Sequence, residues 1–579
     1  MRIIWYHSVL IPFFFGCVLS FVTLYSQWSW IFLFIIPGIF RLACCESGYR
    51  DACIRGWSAG FGYFFIGLFW IGESVLVYHY STKLYLLTVI AIPAVISLYW
   101  SLLFLLFKYL SNALHCNRMV AYKSFVQALL FAYSWGGIEG LRGSITWLKF
   151  PWMLIGYGWI DTPISQIFSI FGVYISGVIT VFCFSAMLPL FEFIYKLSTI
   201  RLRDAFYLYR SQRSTDQNIT ETCISRHLYP SITISILSIG VIACLWLWGG
   251  YRVVYYDQLR DGKDINIGED RDSTGSTNVY VRIVQPNIPQ ADKWKQENIP
   301  HILGKLYQLS KNPSLHPIDV IVWPEASVPV MIDKVLARKI FDILGAPALV
   351  LGSMRMEGDF TRNDVSYYNS MYTILHGEVS DVYDKEDLVP FGEYIPFLSV
   401  FNISDRLGLK GFFTITPSRK VVTRYAVKLD EDISFLPLIC YEAIFPSNMI
   451  VDSKYDFMLN ITNDAWFGNS RGLRQHYQHA RGRAIEQGAS LVRATNTGIS
   501  GVIDPVGRDM VSSSKNVSAV IDIYVPPRIS STVYKKYIES NIRELVIVSV
   551  ICLLCIIIMI SRINNNTSGF LKRYCKRID

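Results

Sequence analysis

Cys440 is the one cysteine between about residue 278 and residue 527, and it sits near the close of the apolar run from Phe435 to Pro446. A lone thiol has no internal disulfide partner, so it is either packed in a core or a candidate nucleophile. A thiol that attacks an acyl group needs a base to take its proton, because little of it is ionised near neutral pH. It also needs a donor for the oxyanion that forms. Glu325 offers the carboxylate, just past the apolar stretch Ile321 to Trp323, where Pro324 ends any strand ladder. Lys385 and Glu393 flank the apolar turn Leu388 to Phe391, which must pack against something and would thereby hold both charges still. Taken singly, each of these groups reads as a solvated charge. Taken together, they supply a base (Glu325), an oxyanion donor (Lys385) and a supporting carboxylate (Glu393) for Cys440.

The elements that must position them follow from hydrophobic pattern. The run ending at Cys440 is short, apolar and bounded by prolines, as in a buried strand whose end lies at the rim of a sheet. Similar runs predict strands at 279–285, 319–323, 348–352, 368–375, 424–429, 433–440, 457–463, 490–496, 499–504 and 519–524, with helices near 296–310, 332–344 and 473–488. Strands that are partly paired directly and partly joined by helices imply a sheet-on-sheet core with helices outside, an α/β soluble domain over residues 278–527. About 250 residues suffice for one such core.

The rest of the chain is of another kind. Of 579 residues, 52% are hydrophobic and only 17% charged, which is too apolar for an ordinary soluble protein. Seven membrane spans are expected in an N-terminal domain (1–258), near 8–25, 28–41, 57–78, 84–107, 120–140, 164–194 and 231–250, judged against the ~20 residues that a bilayer requires. An eighth span at 544–561 and a basic tail complete a C-terminal segment (540–579). The loops rich in Lys and Arg fall on one side if the amino terminus is cytoplasmic, which puts the soluble domain on the outer face. The net charge of +9 is thus read as topology and not as nucleic-acid binding. His476 and His479 lack a third ligand at useful spacing, so neither a metal nor another cofactor is expected. Glu139 and Arg142, at membrane depth, pair with each other or meet a lipid headgroup.

The order Glu325, Lys385, Cys440 resembles the Glu-Lys-Cys triad of the nitrilase superfamily. Trp323-Pro324-Glu325, the segment Leu388 to Glu393, Cys440-Tyr441-Glu442, the segment Asn463 to Gly468, and Val284 to Gln290 with Trp294 are similar to one membrane-embedded branch, the apolipoprotein N-acyltransferases. Glu139 to Gly143 and Phe150 to Trp152 extend the resemblance into the membrane part. It implies an αββα sandwich and a two-step transfer. Cys440 would take an acyl chain from a phospholipid, and the amino group of a diacylglyceryl-cysteine on a lipoprotein would then receive it. Glu325 would be general base and Lys385 oxyanion stabiliser, with Glu393, Tyr441, Glu442 and Trp294 in support. The family implies a monomeric, multi-pass enzyme of the bacterial inner membrane with its catalytic domain in the periplasm. Two other readings share these residues: a membrane-anchored amidase that uses water as acceptor, and an inactive lipid-binding protein.

Overall fold

The computed structural model describes residues 6–45, 48–77, 82–113, 123–145, 149–195, 198, 218–261, 279–359, 364–390, 392–394, 425–429, 433–451, 453–529 and 531–538. The span expected at 544–561 lies outside them. The N-terminal part is helical: α1 (Ile11–Leu24), α2 (Phe32–Cys44), α3 (Tyr49–Gly67), α4 (Ile71–Val77), α5 (Thr82–Ile96), α6 (Leu98–Ala113), α7 (Lys123–Gly140), α8 (Phe168–Ser185) and α9 (Asn218–Arg260). Among the described residues, five helical stretches are long and apolar enough to cross a membrane: Tyr6–Leu24, Ser26–Cys44, Thr82–Ala113, Pro163–Tyr195 and Ile232–Arg260. The described residues of the stretches expected at 57–78 and 120–140 are helical without reaching that apolarity, apart from a turn at 68–70. The reason is visible in α3, where Gly56, Ser58, Ala59, Gly60 and Gly62 are buried against neighbouring helices. A Cβ on Gly16 of α1 would stand 1.9 Å from the Ala59 carbonyl, so small residues let these two helices approach backbone to backbone.

The C-terminal part is built on two six-stranded sheets. One has the order β12 (Ala519–Tyr524), β1 (Tyr280–Gln285), β2 (Val320–Val322), β3 (Ala348–Asp359), β4 (Asp364–Leu375), β5 (Glu378–Asp384). The other runs β11 (Asp509–Ser512), β10 (Gly501–Ile503), β9 (Leu491–Thr495), β8 (Phe457–Thr462), β7 (Ser434–Ile439), β6 (Val427–Lys428). Each sheet has three parallel strands at its centre, β1-β2-β3 and β7-β8-β9, with antiparallel neighbours outside.

Alternation along the strands explains the layers. Val320 and Val322 of β2 face the second sheet, in one core with Phe435, Ile439, Leu459 and Ile461, while Ile321 and Trp323 face α10 (Ile299–Ser310) and α11 (Lys334–Leu344) through Ile302, Leu306 and Ile340. On the far side, Leu436, Leu438 and Met458 meet α12 (Gly472–Gln487) through Tyr477, Ala480 and Ala484. The order helix, sheet, sheet, helix is the αββα sandwich expected from the resemblance. Strands covered on both faces read as continuous apolar runs, which is why the central ones stood out in the sequence.

Helix α12 is also the main contact with the membrane helices. Gln475 accepts from Trp70 Nε1 (3.0 Å) and donates to the Gly67 carbonyl (2.8 Å), Arg483 donates to the Tyr157 hydroxyl (3.2 Å), and Glu486 accepts from Val173 N (2.9 Å). Arg481 pairs with Asp161, and Arg508 with Asp257 (2.7 Å).

Gly352 of β3 marks where sheet and site meet. A Cβ there would lie 2.5 Å from Ala326 N and 2.6 Å from Glu325 Cα, both backbone atoms that cannot swing aside. Gly352→Ala is therefore expected to cost about 1–3 kcal/mol of stability by overpacking. Thermal unfolding in detergent checks it, and an unchanged midpoint would show that the Glu325 turn yields more readily than its packing implies.

Candidate active site

Three of the candidate side chains meet directly. Lys385, on the loop after β5, donates from Nζ to Glu393 Oε1 (2.8 Å) and Glu325 Oε1 (3.2 Å), and all three are buried. Glu325 is held at the other oxygen by Asn463 N (2.6 Å), which donates from the end of β8, and Asn369 Nδ2 reaches both Glu325 (2.7 Å) and Glu393 (3.3 Å). Val389 N donates to the second oxygen of Glu393 (2.8 Å), which fixes the apolar turn between Lys385 and Glu393 as their spacing suggested.

Cys440 enters from the second sheet, at the point where β7 gives way to a short 3₁₀ turn, Cys440–Ile444. Its φ is +51°, a left-handed conformation that costs a non-glycine residue free energy and is kept only where the surroundings enforce it. Ala326, directly after Glu325, has φ +45°. Cys440 and the residue after Glu325 thus both occupy left-handed turns at strand ends, near enough for the charges of Glu325 and Lys385 to act on the thiol.

The electrostatics follow from burial and charge. Burial pushes the Cys440 thiol up, the Glu325 carboxylate adds to this, and Lys385 opposes it, so the resting group is a thiol. Burial alone would raise Glu325 too, but Lys385, Asn369 and Lys293 outweigh it and keep the carboxylate charged below its usual range. Lys385 is held firmly as an ammonium, since the fields of Glu325, Glu393 and Cys440 overcome its burial. A low-pKa carboxylate is a poor base in water. Here, proton transfer from sulfur to Glu325 leaves the net charge of the cluster unchanged, and the new thiolate inherits the attraction of Lys385. The two titrations belong to the pair and not to either group.

The residues beside Cys440 tie the two loops together. Glu442 is fully buried; one oxygen accepts from Ile439 N (2.7 Å), the other from Glu386 N (2.7 Å) and the Tyr383 hydroxyl (3.0 Å). It therefore braces the Cys440 turn against the Lys385 loop. Tyr441 donates to the Lys149 carbonyl (3.1 Å), and Tyr441, Ile444 and Phe445 belong to the same apolar core as Trp152 and the membrane helices. Trp294 is exposed. Asp387 pairs with Lys149 (3.1 Å), which ties the Lys385 loop to the helical part. Glu139 and Arg142 lie apart from this group, both buried. Glu139 accepts from Ile155 N (3.0 Å), and Arg142 donates to the carbonyls of Phe150 (2.7 Å) and Trp152 (2.5 Å), which orders the 150–155 segment under the site.

Sequence reasoning missed Asn369, Lys293 and a buried network behind Cys440. Asn369 shares the inner face of β4 with Met371, and a polar residue at that register was the available signal. In the network, Arg493 and His476 both meet Asp464 (2.9 Å each), and His476 Nε2 stands 3.2 Å from the Cys440 carbonyl. His476 thus serves the strained turn.

Residues 15–186 match the apolipoprotein N-acyltransferase N-terminal domain family, and residues 280–531 the carbon-nitrogen hydrolase family. The first of the solved structures it resembles is a mutant amidase of the nitrilase superfamily from Nesterenkonia AN1, at 16% identity over 46% of this chain and 97% of that one, with a TM-score of 0.32. The two family matches define the class, a carbon-nitrogen hydrolase domain joined to a helical membrane domain. An apolipoprotein N-acyltransferase from Rhodopseudomonas palustris is 30% identical over 546 residues, 90% of each chain, and one from Brucella melitensis is 31% identical over 484 residues, 81% of this chain and 79% of that one. The chain belongs to the apolipoprotein N-acyltransferase family.

Removing Lys385 would leave Glu325 and Glu393 buried without their ammonium. Lys385→Met is expected to lower stability at neutral pH by about 3–5 kcal/mol. In the wild type, the depressed folded pKa of Glu325 contributes stability above the unfolded value and loses it as pH falls through the folded one. The variant lacks that contribution, so the gap between the two proteins should narrow on acidification. Thermal melts over a pH series measure this, and a gap that widens toward acid would contradict the assigned charges.

Proposed function

We propose that the protein transfers an acyl chain from a membrane phospholipid, through a thioester on Cys440, to the α-amino group of the diacylglyceryl-cysteine at the start of lipoproteins. Glu325 takes the thiol proton as sulfur attacks the ester carbonyl, and Lys385, supported by Glu393, faces the oxyanion. When the intermediate collapses, Glu325 returns the proton to the departing lysophospholipid oxygen. In the second half the lipoprotein amine attacks the thioester, Glu325 accepts the proton it loses, and the thiolate of Cys440 leaves and is reprotonated. Both halves use the same base and the same ammonium, and neither needs a cofactor.

The observation that carries this reading is the position of the nucleophile's turn. Tyr441, Ile444 and Phe445 pack into the membrane-helix core, and this anchorage of the Cys440 turn supports a thiol that works on lipids. An enzyme acting on a water-soluble amide has no use for that anchorage. By the same reading the chain divides into a membrane domain (1–258), a catalytic domain (278–527) and a C-terminal span with a basic tail (540–579). It acts as a monomer in the bacterial inner membrane, with Cys440 on the periplasmic side and Trp294 on an arm over the site.

Purified protein in phospholipid nanodiscs should gain the mass of one acyl chain on Cys440 and lose it to a diacylated lipopeptide. Cys440→Ser should fold with an unchanged melting temperature and lose turnover by more than about a thousandfold. Release of free fatty acid at a rate indifferent to lipopeptide would favour the amidase instead, and a wild type that forms no adduct yet binds lipid as well as the serine variant does would favour a lipid-binding protein.

A further inference from the structure

Lys293 is a buried lysine on an otherwise exposed arm. Its neighbours Trp294 and Lys295 face solvent, Lys295 pairing with Asp292 at the surface, whereas the Lys293 side chain is 1% exposed. Its ammonium donates to the main-chain carbonyl of Glu325 (3.0 Å). The arm is fastened on the way there: Asn287 N donates to the Asn496 carbonyl (2.8 Å), Ile288 N to the Asn496 side chain (3.0 Å), and Asn463 Nδ2 to Gln290 (2.8 Å). A buried ammonium is costly, and one amide carbonyl does not compensate it. A neutral side chain would fasten the arm at less expense. The compensation lies in the charges around it, for Glu325 and Cys440 are the titratable groups whose fields bear on Lys293 among the described residues.

We propose that Lys293 is a positioning residue for acyl transfer, a second ammonium that ties the Trp294 arm to the Glu325 turn and lends its charge to the thiolate formed at Cys440. With Glu325, Glu393 and Lys385 alone, the buried cluster would carry a net negative charge before and after sulfur gives up its proton. Lys293 brings it to neutrality. Lifting the arm away would withdraw that charge, so the site is fully charged for attack only with the arm seated. Burial pulls Lys293 down to about 8 against the opposing fields of Glu325 and Cys440, which makes the ammonium labile at mildly alkaline pH.

This inference rests on the Cys440 thioester, and the test separates the two. Acyl-enzyme formation is followed by intact mass after rapid mixing with phospholipid vesicles, without acceptor, from acid to alkaline pH. The wild-type rate should fall as pH rises through about 8, where Lys293 is discharged. Lys293→Met should slow the step by roughly tenfold or more, the scale of one nearby charge at an effective dielectric of about 20. It should also lose the alkaline fall and move the acid limb upward, because Glu325 binds its proton more tightly without the second cation. Lys293→Arg keeps its charge and should carry activity to higher pH. Melting curves of both variants establish that they are folded. A wild type that forms no adduct on Cys440 sinks the thioester reading itself. A folded Lys293→Met variant with the wild-type rate and pH profile overturns the role of Lys293 and leaves the thioester untouched.

Discussion

The structure depends on one ammonium held between two carboxylates out of reach of water. Lys385 meets Glu325 and Glu393 at 3.2 and 2.8 Å, and none of the three is solvated. Such a group gains little net stability from burial, since desolvation offsets most of the attraction. What it gains is definition. Asn369, Asn463 N and Val389 N donate to the same two carboxylates, which fixes the position of each. The two sheets contribute opposite halves, with Glu325 and Lys385 from the first and Cys440 from the second. The sandwich must therefore be closed before the chemistry exists.

Closure is secured by Glu442 and by the network around Asp464. Glu442 bonds backbone amides on both sides of the sheet interface, and His476 stands against the carbonyl of the strained cysteine from α12. That helix also bears on the membrane helices through Gln475, Arg483 and Glu486. One element thus positions the Cys440 turn and seats the sandwich on the helical part, so each arrangement constrains the other.

Much of this was legible beforehand, for physical reasons that differ from residue to residue. Cys440 stood out because thiols are absent elsewhere in the polar half, and Glu325 and Lys385 because charges beside apolar turns must be held by something. Central strands were readable from continuous apolar runs. Edge strands β5 and β11 were not, because their residues face water on one side and read as loop. Helices α3 and α7 were expected as spans, but α3 packs through small residues and α7 carries Lys123, Gln127 and Glu139, which lower their apolarity. Lys293 gave no signal at all, as nothing in a polar arm distinguishes the one side chain that turns inward. The left-handed turns at Cys440 and Ala326 were equally silent, since neither residue type prefers that conformation.

The packing of Tyr441, Ile444 and Phe445 among residues of the helical half has a consequence for any attempt to work with the sandwich alone. Cut free, it would present to water the apolar turn that carries Cys440, and the strain stored at that turn would lose its restraint. A truncated enzyme of this kind should be sticky before it is slow, and detergent would be needed as a substitute for the missing scaffold more than as a solvent for substrate.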